Sequence, residues 1–402
     1  MNSVNYEKRC LFMTNYDKLQ EILIEKGMDK KWSKMFVKKL FDDEKAFPVD
    51  ENTKKWALER GFFPGRVELY GLNEDNYRYF LPDYSYFMIH PINHHFKIWV
   101  NDKLTLKYVL NSNGCADTMP EYYLYVENDG RYTYLMDAPE SIEKNEDFII
   151  NLLKAKGILA IKPNSGTSGG LGFIKLELKS SVIYANNKPI SLQELKSIIS
   201  KFKNTIVTEY VRQHKDLAKV WPDSECTLRI IMAKIPSQNP YERLDWRCFI
   251  SFARFGTLLS GGASNLSSGG IGVGFDFETG KYKDYGIRYK RFCPDGKYTC
   301  EMHPDTHVVW KNEMLPNWNK IKEKIKQVCH HISSLDYLGF DVIISENGFN
   351  FCEINTHPAC DYAQVLCAPV LRNENAIKFF EHKGLFRVDT KEFYSAYLDS
   401  QI

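Results

Sequence analysis

The stretch that decides the fold is residues 339–358, GFDVIISENGFNFCEINTHP. Two strand-like runs, 340–344 and 349–354, flank an Asn-Gly pair, which predicts a tight β-hairpin. Asp341 lies on the first strand, and Glu353 and Asn355 lie on the second. Because alternate residues of a strand share a face, Glu353 and Asn355 are predicted to point the same way and Cys352 the other way, into the core.

These three side chains offer oxygen donors only. Two carboxylates and an amide carbonyl suit a hard cation such as Mg²⁺, which keeps bound waters and substrate phosphates. The sequence therefore predicts a nucleotide-metal site with Asp341, Glu353 and Asn355 as ligands. For an isolated Glu-x-Asn pattern, an ordinary hairpin with solvated acids is an equally good interpretation.

Composition narrows the class of protein. The 402 residues carry a net charge of only +2, so no long-range field favours nucleic acid or an anionic membrane. The ten cysteines include no C-x-x-C pair, and no apolar run reaches the roughly 18 residues that a membrane span needs. No signal peptide is evident at the N-terminus. We therefore expect a cytoplasmic protein with no nucleic-acid partner and no transmembrane segment.

A glycine-rich hairpin is predicted upstream. A strand over 158–162 ends at Lys162, and a second strand begins at residue 173. The intervening loop contains Gly166, Gly169, Gly170 and Gly172. Such a loop lets backbone N–H groups approach phosphates, although in isolation it is equally a flexible turn. It is neither a P-loop nor a dinucleotide fingerprint, because Lys162 precedes the glycines and a strand follows them.

Further segments supply basic and glycine-rich elements. A short helix after residue 99 has Asn101 or Asp102 as its N-cap and carries Lys103 and Lys107 on one face. Such a pair by itself is more often a solvated basic stripe. Two later strands bear three arginines, and a second glycine-rich loop, 261–276, includes Asn265. The arginines are Arg229, Arg247 and Arg254.

The order of these elements resembles the ATP-grasp superfamily over roughly residues 99–370. Within it, the chain is most similar to the sugar-transfer-associated ATP-grasp proteins, which are encoded among genes for bacterial surface polysaccharides. The closer similarity rests on INHHFKIWVNDK, TEYVRQH, CTLRI, HPDT and LPNW. The resemblance implies an α+β ATP-grasp fold, in which two α+β subdomains enclose ATP. A mainly helical or mixed region precedes them at the N-terminus.

The resemblance also implies roles for individual residues. Lys103 and Lys162 would contact the phosphates of ATP, and the loop 165–172 would close over them. Arg229, Lys162 and Asn265 would act at the reacting phosphoryl and acyl groups, while the metal set would hold two Mg²⁺ ions. Glu209 and Val211 would meet the adenine, and Asp216 would reach the ribose. The residues implied to bind the nucleotide are Lys103, Lys162, Ser165, Gly166, Thr167, Ser168, Gly169, Gly170, Glu209, Tyr210, Val211 and Asp216.

We expect four regions, of which the resemblance covers the middle two. Residues 1–98 form an N-terminal helical or mixed substrate or scaffold region, and 99–206 form the small subdomain with the glycine-rich hairpin. Residues 207–372 form the large subdomain with the metal site, and 373–402 form a helical tail. A homodimer is one option that the sequence leaves open.

Three functions follow from different classes. The favoured one is an ATP-dependent carboxylate-amine ligase that works through an acyl phosphate and joins a small-molecule sugar acid to an amino acid or other amine for a capsular or surface polysaccharide. The second is a kinase that phosphorylates an alcohol or amide, and the third is a nucleotide-binding regulator without turnover. Asp341→Asn and Glu353→Gln are expected to abolish turnover without loss of the fold.

Overall fold

The computed structural model describes residues 14–401, except 113, 166–171, 238, 243, 262 and 294–295. The predictions for Gly166, Thr167, Ser168, Gly169 and Gly170 therefore lie outside the described residues. Of the helices described, none is long and apolar enough to cross a membrane.

Two antiparallel seven-stranded sheets organise the chain. The first has the strand order β2-β1-β7-β3-β4-β5-β6 and the second β12-β11-β10-β9-β8-β13-β14. The strands of the first sheet are β1 Tyr122–Val126, β2 Tyr132–Tyr134, β3 Ile158–Pro163, β4 Ile174–Lys179, β5 Val182–Ala185, β6 Lys188–Ile190 and β7 Thr205–Glu209. Those of the second are β8 Thr227–Lys234, β9 Trp246–Phe255, β10 Ile271–Phe275, β11 Tyr282–Ile287, β12 Thr299–Cys300, β13 Tyr337–Ser345 and β14 Gly348–Asn355.

Fourteen α-helices are present in the described part of the chain. They are α1 Asn15–Glu25, α2 Lys30–Ala46, α3 Glu51–Glu59, α4 Arg66–Tyr70, α5 Asp83–Met88, α6 Ile98–Asn101, α7 Lys103–Leu110, α8 Phe148–Lys156, α9 Leu192–Ile199, α10 Lys215–Val220, α11 Trp318–His331, α12 Asp361–Leu366, α13 Glu374–His382 and α14 Lys391–Gln401.

Local sequence signals explain several element boundaries. Asp102 caps α7 by accepting a hydrogen bond from the backbone N–H of Thr105, as its position predicts. Ser191 and Glu194 form the predicted capping box of α9. The predicted hairpin is confirmed, since β13 and β14 pair from Gly339↔Asn355 to Ser345↔Gly348.

The second sheet buries both faces. Alternate residues of β8, such as Ile230 and Met232, lie in a core shared with α11. Their neighbours Ile231 and Ala233 lie in a core built with helices from both ends of the chain. In that core, the Tyr84 ring stacks on the Phe393 ring at 5.0 Å between centroids. The N-terminal and C-terminal helices therefore cover one face of the second sheet together.

The first sheet has a smaller core. Leu124, Ile161 and Val207 from its strands pack with Phe148 of α8 and Leu195 of α9, and all five are buried. The small β5–β6 extension is an element that the sequence patterns did not indicate. The two sheets place the ends of β3 and β14 near each other, where the predicted nucleotide site lies.

Candidate active site

The β13–β14 hairpin brings the predicted metal ligands together. Asp341 lies directly opposite Glu353 in the ladder. The side-chain amide of Asn355 donates a hydrogen bond to Glu353 Oε1 at 3.1 Å. The three residues form one polar group on the β13–β14 hairpin, at the middle of β13 and the end of β14.

Cys352 departs from the expected alternation. The β13–β14 register shifts between Asp341, which pairs with Glu353, and Val342, which pairs with Phe351. Cys352 is therefore the extra residue of a β-bulge, which re-aims side chains and interrupts the strict period of two. It is only half-buried. It is also near enough to Lys162 that each changes the pKa of the other. The prediction that Cys352 faces away from the site into the core is wrong.

Asp341 is the partner of two arginines. Its carboxylate accepts hydrogen bonds from Arg229 Nε at 2.6 Å and Arg229 Nη2 at 3.0 Å. Arg254 Nη2 lies 3.1 Å from Asp341 Oδ2. Burial alone would raise the pKa of Asp341, but Arg229 and Arg254 outweigh it and hold the pKa below its usual value. Asp341 is therefore ionised and is a structural counter-charge as well as a predicted ligand.

Glu353 has a different environment. Burial and the charge of Asp341 raise its pKa, while Asn355, Lys103 and Arg229 act in the opposite direction. Lys103 Nζ lies 3.9 Å from Glu353 Oε2, which is an ion-pair distance beyond hydrogen bonding. Glu353 thus has an oxygen available for a further cationic partner.

Asn164 fixes the start of α7 against the base of the glycine hairpin. Its carbonyl accepts from Lys103 N at 3.1 Å, and its side-chain oxygen accepts from Leu104 N at 2.8 Å. Its side-chain amide donates to Asp102 Oδ2 at 2.6 Å. These contacts satisfy N–H groups that a helix N-terminus leaves free and hold Lys103 beside β3.

Lys162 approaches the same group from the first sheet. Its ammonium lies 5.7 Å from the centre of the Tyr122 ring. Burial lowers its pKa to about 8, with Lys103 acting in the same direction and Cys352 and Glu353 against it. Two lysines and a carboxylate from separate elements therefore share one electrostatic environment.

Lys107 has a separate role from Lys103. Its ammonium donates to the carbonyl of Pro120 at 2.9 Å and pairs with Asp137 at 3.0 Å. The side chain is buried. Lys103 thus faces the candidate site, whereas Lys107, one turn later, holds residues that precede β1 and follow β2 of the first sheet.

The second glycine-rich loop is fixed by close backbone packing. A Cβ on Gly270 would lie 2.8 Å from Ser264 O, 2.9 Å from Phe255 O and 3.0 Å from Asn265 O, so only glycine fits. Thr227 and Ser264 share a hydroxyl hydrogen bond of 3.2 Å, which ties the loop to β8, the strand of Arg229. Asn265 is half-buried in this loop.

The segment after β7 contains the predicted adenine contacts. Glu209 ends β7 and accepts a hydrogen bond from Glu121 N at 3.2 Å. The Tyr210 hydroxyl donates to Glu225, and Val211 is half-buried. Asp216 pairs with Lys219 on α10 at 2.7 Å. The predicted roles of these residues at adenine and ribose stay predictions.

Ser165 is the first residue of the phosphate loop. It is half-buried, and the side-chain amide of Asn204 lies 3.5 Å from its hydroxyl. This contact joins the start of the loop to the turn before β7. Its proposed contact with phosphate stays a prediction.

The donor atoms fit magnesium carried by a nucleotide. Among the described residues, no group of three or more His, Cys, Asp or Glu side chains forms a metal cage. Glu353 Oε2 and Asn355 Oδ1 are the oxygens that remain available, since both oxygens of Asp341 face arginines. Mg²⁺ commonly takes one or two carboxylates from the protein and its other ligands from phosphates and water. Glu353 and Asn355 would hold it, and Asp341 would support them.

Two positions matter more than the sequence patterns indicated. Arg254 was noted only as one of three strand arginines, but it shares Asp341 with Arg229. Asn93 clamps the end of the hairpin: its amide donates to Tyr337 O at 2.5 Å and Thr356 O at 2.8 Å, and its oxygen accepts from Asp336 N at 2.7 Å. Asparagine lacks a distinctive local signal for such a long-range bridge.

Comparison of the chain with models of protein families identifies its family. The model of a family described as sugar-transfer associated ATP-grasp matches residues 88–378. The chain belongs to the sugar-transfer associated ATP-grasp family. The predicted family and its α+β fold, with two antiparallel sheets and a helical N-terminal region, are therefore confirmed. No functionally curated protein matches this ATP-grasp chain.

Solved structures include distant neighbours of this ATP-grasp protein. The D-alanyl-alanine synthetase A of Vibrio cholerae O1 biovar eltor is 13% identical, with 74% of this chain and 65% of that chain covered and a TM-score of 0.35. The N5-carboxyaminoimidazole synthetase of Staphylococcus aureus, complexed with ADP, is 12% identical, with 65% of this chain covered and a TM-score of 0.34. This chain spans only 45% of the length of the latter protein.

Proposed function

We propose that the protein is an ATP-dependent carboxylate-amine ligase that forms an amide through an acyl phosphate. The observation that carries the proposal is the meeting of Lys103 and Lys162 with Glu353, because cations beside a metal-binding acid are the groups that polyphosphate binding requires. Membership of the ATP-grasp family supports ATP as the substrate that fills this site.

The first step of the proposed reaction is phosphoryl transfer from ATP to the substrate carboxylate. A substrate carboxylate oxygen would attack the γ-phosphorus, the bond to the β-phosphate oxygen would break, and ADP would leave. Lys103, Lys162 and Arg229 would offset the negative charge that these anions bring together. When bound, Mg²⁺ would neutralise phosphate charge and orient the phosphates.

An amine would complete the reaction. Its nitrogen would attack the acyl carbon, the bond from that carbon to the phosphate oxygen would break, and inorganic phosphate would leave with the electron pair. The nitrogen would lose a proton to give a neutral amide. The loop containing Asn265, held rigid by Gly270, would limit access of water to the acyl phosphate.

The setting of the reaction is part of the proposal. The family description links the protein to sugar transfer, so we propose a sugar acid as the carboxylate and a capsular or surface polysaccharide as the destination. Seven of the described cysteines are free, which fits a reducing cytoplasm, where ATP is available; they are Cys226, Cys248, Cys300, Cys329, Cys352, Cys360 and Cys367.

Hydroxylamine trapping tests the proposal. The full chain would be incubated with MgATP, hydroxylamine and a panel of hexuronic acids and nucleotide-linked hexuronic acids. A carboxylate-dependent release of ADP, with an equal amount of hydroxamate, is the expected result. Glu353→Gln is the control, and it should form neither product. A stable phosphorylated alcohol or amide, formed stoichiometrically with ADP and without hydroxamate, would overturn the ligase in favour of a kinase.

A further inference from the structure

A cavity of about 180 Å³ lies beside the candidate site, between the N-terminal helices and the segment that follows β14. Its wall includes Trp32 and Lys39 of α2, Arg66 of α4, and His357 and Asp361. Residues 1–98 carried no recognisable motif, yet they supply much of this wall. The cavity therefore gives the N-terminal region a binding surface.

The cavity and the predicted phosphate site share one piece of backbone. Glu353 and Asn355 end β14, and the chain then runs directly through His357 to Asp361 in the cavity wall. Asn93 fixes this junction through its hydrogen bond to Thr356 O. Asp361 is also among the carboxylates that act on the Arg229 guanidinium. The cavity wall is thus within electrostatic range of the guanidinium that pairs with Asp341.

Two of the cavity charges cancel each other. Arg66 donates to Asp83 through Nε at 3.3 Å and Nη2 at 3.2 Å, and both side chains are almost fully buried. Arg66 Nη2 lies 4.0 Å from Asp361 Oδ2, too far for a hydrogen bond. Asp83 is therefore the closer partner of Arg66, and Asp361 makes only the longer ion pair with it, while also interacting electrostatically with Lys39.

Lys39 and Asp361 are the remaining charges of opposite sign. Within the part of the chain that the structure describes, no carboxylate lies within 4.0 Å of Lys39 Nζ, which is 5.9 Å from the centre of the Phe87 ring. The Asp361 side chain is 32% exposed, and only its Oδ1 accepts a backbone hydrogen bond, from Tyr362 N at 2.9 Å. One cation and one anion are thus available to a ligand, with no net charge.

The other walls favour a small ligand with an apolar part. The rings of Trp32, Tyr86 and Phe87 line the space, and the Tyr86 hydroxyl is already bonded to Pro358 O at 2.8 Å. Water occupies about 30 Å³ per molecule in the liquid, so the space suits a compound of amino-acid size.

We propose that this cavity binds an α-amino acid as the amine co-substrate, with its carboxylate at Lys39, its ammonium group at Asp361 and its side chain against the aromatic wall. This inference rests on the proposed ligase function, since that function requires an amine. A zwitterion offers a partner of opposite charge to Lys39 and to Asp361 at once, whereas a simple sugar acid would leave Asp361 facing another anion.

Binding to the full chain without ATP tests the cavity separately from the ligase reaction. Each of the common L-amino acids would be titrated by calorimetry, and every binder would be compared with its N-acetyl and carboxamide derivatives. We expect at least one amino acid to bind, and each derivative to bind about tenfold or more weakly, because each loses one charged group.

Variants assign the two ends of the ligand. Lys39→Met and Asp361→Asn should each weaken amino-acid binding about tenfold or more, whereas Lys38→Met, an exposed neighbour on α2, should not change it. Lys39→Met should lose the distinction between the amino acid and its carboxamide, and Asp361→Asn that between the amino acid and its N-acetyl form. These double comparisons remain informative if one variant is less stable.

The outcomes separate the two proposals. Binding of no amino acid, or binding unaffected by Lys39→Met and Asp361→Asn, would overturn the cavity assignment even where hydroxamate forms. Glucuronate binding that depends on Lys39 but not on Asp361 would overturn it in favour of a carboxylate-substrate site. Amino-acid binding with the expected dependence, but no hydroxamate with any carboxylate, would contradict the ligase function and leave the cavity assignment standing.

Discussion

Asp341→Asn should destabilise the protein as well as inactivate it. The substitution removes the negative charge that faces Arg229 and Arg254, which contact the carboxylate at 2.6, 3.0 and 3.1 Å. Asp341 is 6% exposed. Removing one partner of a buried ion pair typically lowers the free energy of unfolding by about 3–5 kcal/mol. This replaces the expectation from sequence that Asp341→Asn leaves the fold intact.

Glu353→Gln is the matched variant. No arginine donates a hydrogen bond to Glu353 among the described residues, and burial with the charge of Asp341 already disfavours its ionised form. The amide should therefore change the free energy of unfolding by about 1 kcal/mol or less. Both variants should lose about 10²-fold or more in ATP turnover, because each removes charge at the reacting phosphates.

The free energy of unfolding from denaturant titration, the Tm from thermal unfolding and the rate of ADP release would be measured on both variants. For a folding unit of about 150–250 residues, 3–5 kcal/mol corresponds to a fall of about 6–20 °C in Tm. Equal stability of Asp341→Asn and the wild type would refute the role of Asp341 as counter-charge to two arginines. A fall for Glu353→Gln as large as that for Asp341→Asn would refute the distinction between the two carboxylates.

Four further outcomes are expected. Burial lowers the pKa of Lys162 to about 8 from 10.5, so MgATP affinity measured by calorimetry should weaken as pH rises through about 8. Lys162→Arg should show no such weakening. An identical pH profile for the wild type and this variant would exclude Lys162 from phosphate binding. The folded protein loses the Lys162 ammonium proton at a lower pH than the unfolded chain does. The contribution of Lys162 to the free energy of unfolding should therefore rise as pH rises from 8 to 10.5, and this rise should be absent from Lys162→Met. Gly270→Ala should lower the free energy of unfolding by about 1–3 kcal/mol, since its Cβ meets three carbonyl oxygens, and unchanged denaturation would contradict that packing. Asn164→Ala should raise KM for ATP. It should also lower the free energy of unfolding by about 1–3 kcal/mol, because the Leu104 N–H and the Asp102 carboxylate at the start of α7 lose their hydrogen-bond partner. Steady-state kinetics unchanged from wild type would show that Asn164 does not position Lys103.

Much of the candidate site follows from local patterns. The Asn-Gly turn and the two strand-like runs predicted the hairpin that carries Asp341 and Glu353, although the bulge at Cys352 sets their direct pairing. The N-cap pattern at Asn101 or Asp102 predicted where α7 begins. These features depend on residues close in sequence, whose geometry is set by turn type and capping.

Long-range contacts were beyond the same patterns. The sharing of Asp341 by Arg229 and Arg254 depends on the register of β13, β8 and β9, and a single bulge re-aimed Cys352. The separation of Lys103 from Lys107 depends on which partners tertiary folding brings to each lysine. A helical period places them on one face but does not distinguish their partners.

MgATP binding to Lys103→Met and Lys107→Met tests the central claim most directly. Both variants remove one ammonium group from the same face of α7, but only Lys103 lies beside Glu353, whereas Lys107 pairs with Asp137. Loss of a charged hydrogen bond to phosphate of about 1.5–3 kcal/mol predicts that Lys103→Met raises Kd for MgATP roughly 10- to 150-fold. Lys107→Met should bind like the wild type at a temperature where both variants are folded. Equal Kd values for the wild type and Lys103→Met, or a larger loss in Lys107→Met, would contradict a nucleotide site between α7, β3 and β14.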